Sequence, residues 1–296
     1  MNIGWIGTGL MGSRIAGRLL AKSFDVSVYN RTKEKAIPLL EQGAHWCTSP
    51  AGIGKTCDIV MTMLSDSMAI EAVALVENDG FLAYLSAGSI WVDLSTVGPI
   101  FSKKMAELSN ARTIHFIDAP VAGSIGPAER GELTTLVGGS LENVRRLTPL
   151  IESYSKKIIH AGAVGMGSSL KLVINMILGN SMVSFCEALV FGNELGLKQE
   201  LLLDTLLGGP VTAPYLASKR SKFVQHSYSA EFPLRHMAKD LRLIENCAHQ
   251  ANLEGLLFTD TTKRLMNSDA AKEHWDEDFS ALLEVISQLR PIKDIE

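Results

Sequence analysis

Several residue types that mark particular protein classes are scarce in this chain. Its 296 residues include four cysteines, Cys47, Cys57, Cys186 and Cys247, far apart and without a C-x-x-C pair. That excludes a disulfide framework or a zinc ribbon and fits a reducing compartment. The seven histidines form no H-x-x-H, H-x-x-x-H or H-E-x-x-H pair, so no metal site is signalled. Charge of one sign is never blocked: the formal net charge is −4, with acidic and basic residues interspersed, which offers no footprint for nucleic acid. No purely apolar run reaches 18 residues, and residues 170–191 carry Lys, Asn, Ser and Glu, so a membrane span is not expected. The start, MNIGWIGTG, has no basic segment ahead of its apolar residues and is unlike a secretory signal, which makes the cytoplasm the expected location. A G-x-S-x-G elbow and a Walker loop are also missing, which removes the common hydrolase and P-loop readings.

What is present is an ordinary globular composition, 46% hydrophobic and 20% charged, enough for one large domain or two. From residue 1 to about 160, short apolar runs alternate with helical patterns. IGWIG, VSVYN, IVMTML, IWVDLS and IHFIDAP read as strands, and RIAGRLLAKS and KKMAELSNA as helices between them. Such alternation predicts an α/β class with a parallel sheet covered on both faces. After KIIHAG the period becomes helical and no convincing strand follows. The expected organisation is therefore a nucleotide-binding domain over 1–162 and an all-helical domain over 163–296 that carries substrate and oligomer contacts.

Gly7, Gly9 and Gly12 form G-x-G-x-x-G directly after the first strand, at the opening of a helix, with Leu10 and Met11 between the last two. The first glycine permits the tight turn, the second lets backbone approach a pyrophosphate, and the third allows helix to pack on strand. The anion would lie on the helix N-terminus, where free N–H groups and the macrodipole favour it. This context identifies a Rossmann-type dinucleotide site. An NAD site puts Asp or Glu at the end of the next strand to bond the ribose 2′-hydroxyl. Here that strand ends in Asn30, Arg31 and Thr32, with no carboxylate to repel a 2′-phosphate and a guanidinium to receive it. NADP(H) is therefore expected over NAD(H); the alternative is that Arg31 merely closes a strand.

Two further strand ends supply small polar groups, Leu64 with Ser65 and Ser95 with Thr96, in loops expected to face the cofactor. Serine or threonine before a helix also serves as a plain N-cap, and that reading stays open. Residues 118–139, DAPVAGSIGPAERGELTTLVGG, hold a glycine-rich turn in which Gly123, Ser124 and Gly126 could present N–H groups and a hydroxyl to a substrate carboxylate. A plain crossover loop would look the same.

Lys171 lies in GMGSSLKLVIN, at the start of a long apolar helical stretch. Ser168, Lys171 and Asn175 stand at i−3, i and i+4 and so form one polar stripe. A snorkelling surface lysine is one reading. The other follows from the apolar positions around the rest of the helix: the stripe faces a cleft, and Lys171 acts as general acid toward a carbonyl oxygen while hydride arrives at carbon.

Taken together, GWIGTGLMG, DAPVAGSIGPAERGEL, GMGSSLKLVIN and MAKDL resemble, in order and spacing, the motifs of the β-hydroxyacid dehydrogenases, which include 3-hydroxyisobutyrate dehydrogenases, tartronate semialdehyde reductases and glyoxylate/succinic semialdehyde reductases. The resemblance covers essentially the whole chain. It implies an N-terminal Rossmann domain, an all-α C-terminal domain and an active site between them, in a homodimer or homotetramer. By motif, Lys171 resembles the family's catalytic lysine and Asn175 its substrate-orienting partner. Gly123 and Ser124 match the substrate-binding turn, and Lys239, beside Asp240, resembles the lysine that closes over cofactor and substrate. Phe279 and Ser280 in DEDFSAL look like a further family element near the nicotinamide. The family turn reads D-A-P-V-S-G, and Ala122 stands where its serine would be, which leaves the identity of the acid open. The implied substrate is a small carboxylate-bearing aldehyde or hydroxy acid of the glyoxylate or succinic semialdehyde type, with a 3-hydroxyisobutyrate or other 3-hydroxy acid as the alternative. An imine reductase would generally replace the lysine, and a non-catalytic cofactor-binding relative lacks it.

Overall fold

The side chains of the first strands alternate between two cores. Ile3, Trp5, Val26, Val28, Ile59, Met61, Ile90, Val92 and Ile117 face one apolar cluster, while Ile6, Val60, Trp91 and Phe116 face another. A strand with both faces buried reads as a near-continuous apolar run, which is why IVMT and IWVD carry no polar alternation until their ends.

The computed structural model describes residues 2–253 and 255–289. The strands are β1 (Asn2–Ile6), β2 (Asp25–Tyr29), β3 (His45–Trp46), β4 (Ile59–Thr62), β5 (Ile90–Asp93), β6 (His115–Asp118), β7 (Val121–Ala122), β8 (Leu133–Gly138) and β9 (Ser155–Gly162). Between them run α1 (Leu10–Ala21), α2 (Ile37–Glu41), α3 (Pro50–Thr56), α4 (Ser67–Ala74), α5 (Pro99–Asn110), α6 (Ile125–Arg130) and α7 (Leu141–Ile151). After β9 the described chain is helical: α8 (Met166–Glu194), α9 (Gln199–Leu207), α10 (Arg220–Gln225), α11 (Leu234–Gln250), α12 (Leu257–Met266), α13 (Asp269–Glu273) and α14 (Leu282–Ser287).

The sheet order is β3-β2-β1-β4-β5-β6-β8-β7, with β9 beside β8. The first six are mutually parallel, β8 is antiparallel to β6 and β7, and β9 is parallel to β8. The order reverses at β1, the position at which doubly wound sheets bind ligands. This is the expected α/β class, a Rossmann-type sheet followed by helices. The five expected strands correspond to β1, β2, β4, β5 and β6. β3 and β7 are two-residue pairings without a periodic signal, and the two threonines of β8 interrupt its apolar run, so none of the three stands out in the sequence.

Two compact units divide the chain at Leu172/Val173, within α8. In the second, Asp278 ties the loops together: it accepts from the buried Lys219 Nζ at 2.8 Å, from the N–H groups of Glu231 and Phe232, and from Ser280. Phe279, stacked near Tyr215 and edge-on to Phe232, is buried beside it. DEDFSAL thus forms an internal anchor of this unit.

Candidate active site

Each glycine of the first turn meets a different steric demand. Gly7 has φ +105°, and a Cβ there would stand 2.3 Å from the Met63 carbonyl oxygen. One on Gly12 would stand 2.2 Å from the Gly7 oxygen, whereas Gly9 has nothing within 4 Å. The middle glycine alone therefore opens outward, as backbone approaching a pyrophosphate must. Trp5 Nε1 donates to the Gly7 oxygen at 2.8 Å and fixes the turn from beneath. Gly9 caps α1 without a side-chain bond, and the first turn, with Leu10 and Met11, holds no acidic residue, so the helix end suits an anion.

Asn30 is spent on the loop itself: its Oδ1 accepts from Thr8 N at 3.1 Å, and its Nδ2 donates to the Thr32 oxygen at 2.8 Å. Arg31 and Thr32 are exposed beside it. The residues present fit a dinucleotide, since the turn leaves room and no carboxylate guards the β2 end.

The loops after β4 and β5 are joined, because Ser95 Oγ accepts from Leu64 N at 2.9 Å. Ser65 donates to Asp66, and it is Asp66 that caps α4 through Ala69 N. Thr96 is half-buried next to Ser95. Beneath them Asp93 Oδ1 accepts from Thr62 Oγ1 and Ser95 N, and burial pushes its carboxyl up to about 6 against the lowering effect of those bonds. Asp93 and Asp118 are register partners at the carboxyl ends of β5 and β6. Asp118 is likewise raised, first by burial, although N–H groups of Gly165 and Ser168 oppose the shift.

Past β6, Ala122 is half-buried and Gly123 exposed. Gly123 has φ +130°, and a Cβ there would meet Leu133 at 2.6 Å, so the turn requires glycine. Ser124 occupies the N-cap of α6 yet makes no side-chain cap bond. Glu129, from GPAE, bridges to Arg14 of α1 at 2.8 Å, which ties this segment to the dinucleotide helix.

On α8 the polar stripe runs inward. Ser168 and Asn175 are fully buried and Lys171 is half-buried, while Val173 and Ile177 are 52% and 61% exposed. Asn175 Nδ2 donates to Asp240 Oδ2 at 2.6 Å, and Asn175 Oδ1 is buried with no hydrogen-bond partner among the described residues. Lys239 Nζ stands 3.0 Å from Asp240 Oδ1. Asp240 thus meets both Asn175 and Lys239 within the second unit, whereas the glycine turn, the cofactor loops, the Ala122–Ser124 turn and Lys171 lie in the first. Two aspartates, Asp93 and Asp118, were not expected; Asp93 takes the Thr62 hydroxyl from 31 residues earlier and Asp118 serves amides 47 and 50 residues later. Among the described residues no group of three or more His, Cys, Asp or Glu is arranged to hold a metal.

Residues 2–162 match the model of the NAD-binding domain of 6-phosphogluconate dehydrogenase, and residues 165–286 match that described as NAD-binding of NADP-dependent 3-hydroxyisobutyrate dehydrogenase. The chain belongs to the β-hydroxyacid dehydrogenase family. It is 34% identical to glyoxylate/succinic semialdehyde reductase 1 of Arabidopsis thaliana over 286 residues, 97% of this chain and 98% of that one. It is 30% identical to 2-(hydroxymethyl)glutarate dehydrogenase of Eubacterium barkeri over 290 residues, 98% and 96% of the two chains. Among solved structures, Psf3 in complex with NADP+ and 2-OPP superposes with a TM-score of 0.89 at 25% identity, covering 96% of this chain and 100% of that one. As a β-hydroxyacid dehydrogenase this protein is an NAD(P)-dependent oxidoreductase acting on CH–OH groups.

Proposed function

We propose that this dehydrogenase interconverts a small carboxylate-bearing aldehyde or keto acid, of the glyoxylate or succinic semialdehyde type, with its hydroxy acid, using NADP(H) in preference to NAD(H) and Lys171 as general acid. The observation that carries the reading is the pair Lys171 and Asn175, one turn apart on α8, with the Asn175 amide oriented by Asp240 and its Oδ1 left as an open acceptor. Near full-length similarity to a reductase of those substrates supports the substrate class.

Gly7, Gly9, Leu10, Met11 and Gly12 would hold the pyrophosphate, Asn30, Arg31 and Thr32 the 2′-phosphate end, and Leu64, Ser65, Thr96 and Lys239 the remainder. The bound nicotinamide supplies or takes up hydride. Lys171 donates its proton to the carbonyl oxygen as that oxygen gains charge, and takes one back in the oxidative direction. Asn175 Oδ1 accepts from the substrate hydroxyl, and Gly123 and Ser124 bind its carboxylate. With Ala122 the turn has one hydroxyl fewer than the family pattern, which leaves the identity of the acid open; the second reading is a 3-hydroxyisobutyrate or other 3-hydroxy acid. The presence of Lys171 argues against an imine reductase and against a cofactor-binding module without turnover.

The test is a panel of semialdehydes, 2-keto acids and 3-hydroxy acids with NADPH and NADH, run on wild type and Lys171→Ala. The variant is expected to lose ~10²–10⁴-fold in kcat with little change in NADPH affinity. Undiminished kcat, or a higher kcat/KM with NADH, overturns the corresponding part of the proposal.

α8 is long and apolar enough to cross a membrane. We read it as a core helix, because its start is capped by Asp118 and its Asn175 is buried against Asp240. Its outer face carries Val173, Ile177 and Phe191, all more than half exposed, and the equally exposed Leu195 follows directly after its end. Such a stripe supports a homodimer or homotetramer; a monomer at micromolar concentration in sedimentation would contradict this.

A further inference from the structure

The first turn of α8 has no side chain of its own to cap it. The residue before the helix is Gly165, whose oxygen accepts the first intrahelical bond from Ser169 N at 2.9 Å. It has no side chain, and in an isolated helix the N–H of Ser168, in the first turn, would lack a partner. Both N–H groups are instead satisfied from about fifty residues earlier. Asp118 Oδ1 accepts from Gly165 N at 2.8 Å, and Asp118 Oδ2 accepts from Ser168 N at 2.7 Å. A capping box exchanges these bonds between neighbours in sequence. Here one carboxylate at the end of β6 takes both.

The fit around that carboxylate is made of backbone. A Cβ on Gly138 would lie 2.4 Å from Asp118 Oδ1, and one on Gly167 would lie 2.4 Å from the Leu136 oxygen and 2.9 Å from the Asp118 oxygen. The helix start therefore rests directly on β6 and β8. Ser102 Oγ of α5 meets Ser168 Oγ at 3.0 Å, both buried, and closes another side. The aligned peptide dipoles and the two charge-assisted bonds favour the negative charge at this end and oppose the burial that raises the carboxyl.

Lys171 lies three residues beyond Ser168 in the same compact unit. In an α-helix each residue advances by about 1.5 Å and 100°, so whatever fixes the first turn also fixes the height and rotation of Lys171. We propose that Asp118 is a positioning residue for the reaction: by clamping Gly165 and Ser168 to the end of β6, it sets the position from which Lys171 delivers its proton. The proposal rests on Lys171 being the general acid.

The experiment is a double-mutant cycle with Asp118→Asn and Lys171→Ala, reading kcat, NADPH affinity by fluorescence and the thermal midpoint. The amide accepts through one oxygen only and turns an NH2 toward the helix start. Asp118→Asn is expected to lower kcat about 10–100-fold, since a displacement near 1 Å costs up to about 10²-fold, with NADPH affinity unchanged. On the Lys171→Ala background it should add no further loss. Additive losses, or wild-type kcat in Asp118→Asn, overturn the positioning role; full activity in Lys171→Ala overturns instead the reading on which it rests. Wild-type protein supplies a readout that does not depend on a variant folding or on turnover. The Ser168 amide should exchange as slowly as the β6 amides in native-state hydrogen exchange, and free exchange would sink the clamp.

Discussion

Asp240 Oδ2 receives the Asn175 amide at 2.6 Å in a spot from which water is excluded on both sides, so the orientation of the amide is decided by its neighbour. Removing the carboxylate with Asp240→Ala leaves the Asn175 NH2 buried without a partner, at a cost of about 1–3 kcal/mol. Calorimetry should show the midpoint falling by several degrees. Asp240→Asn, which keeps one acceptor oxygen, should lose less, and equal midpoints for wild type and Asp240→Ala would refute the assignment.

The three glycines of the first turn should respond differently to alanine. Gly12→Ala drives a methyl to 2.2 Å from the Gly7 oxygen, a backbone atom that cannot step aside, and is expected to destabilise the fold and abolish nucleotide binding together. Gly9→Ala enters open space; the midpoint should hold while NADPH affinity falls at least tenfold. Parallel melting curves and fluorescence titrations separate the two outcomes.

Asp93 makes stability depend on pH. Its carboxyl is raised from 3.8 to about 6 in the folded state by burial, so between those values the native protein holds a proton that the unfolded chain has released. The group's contribution is intact below the lower value and is lost as pH rises through the upper one. A displacement of this size corresponds to about 3 kcal/mol. Asp93→Asn, whose oxygen can still accept from Thr62 and Ser95, should therefore gain on wild type by roughly that amount between pH 4 and pH 7. Denaturant unfolding at both values measures it, and a pH-independent difference would contradict the assignment.

The parts of the candidate site that could be read from the chain are those whose cause is local. The glycine spacing and the strand before it are set by sterics within a few residues, and the structure assigns each glycine a separate contact. Asn30 was read for what it lacks, a charge; its second task, holding Thr8 and Thr32, depends on the path of the loop. The direction of the α8 stripe was harder. Apolar residues normally turn inward, yet Val173 and Ile177 turn outward while Asn175 is buried; the helix's own pattern allowed both a cleft-facing stripe and a snorkelling surface lysine. Asp118 left no local signal at all, because the amides it serves follow it by 47 and 50 residues.

The double use of Asn30 bears on any attempt to exchange one nucleotide for the other. An aspartate at that position would supply the acceptor that a ribose hydroxyl seeks and could still receive Thr8 N. It would also point an oxygen at the Thr32 carbonyl, where the amide now donates at 2.8 Å. Two facing acceptors repel, so a redesign for NAD made at this residue alone would loosen the very loop that must grip the adenosine, and a second change near Thr32 has to accompany it.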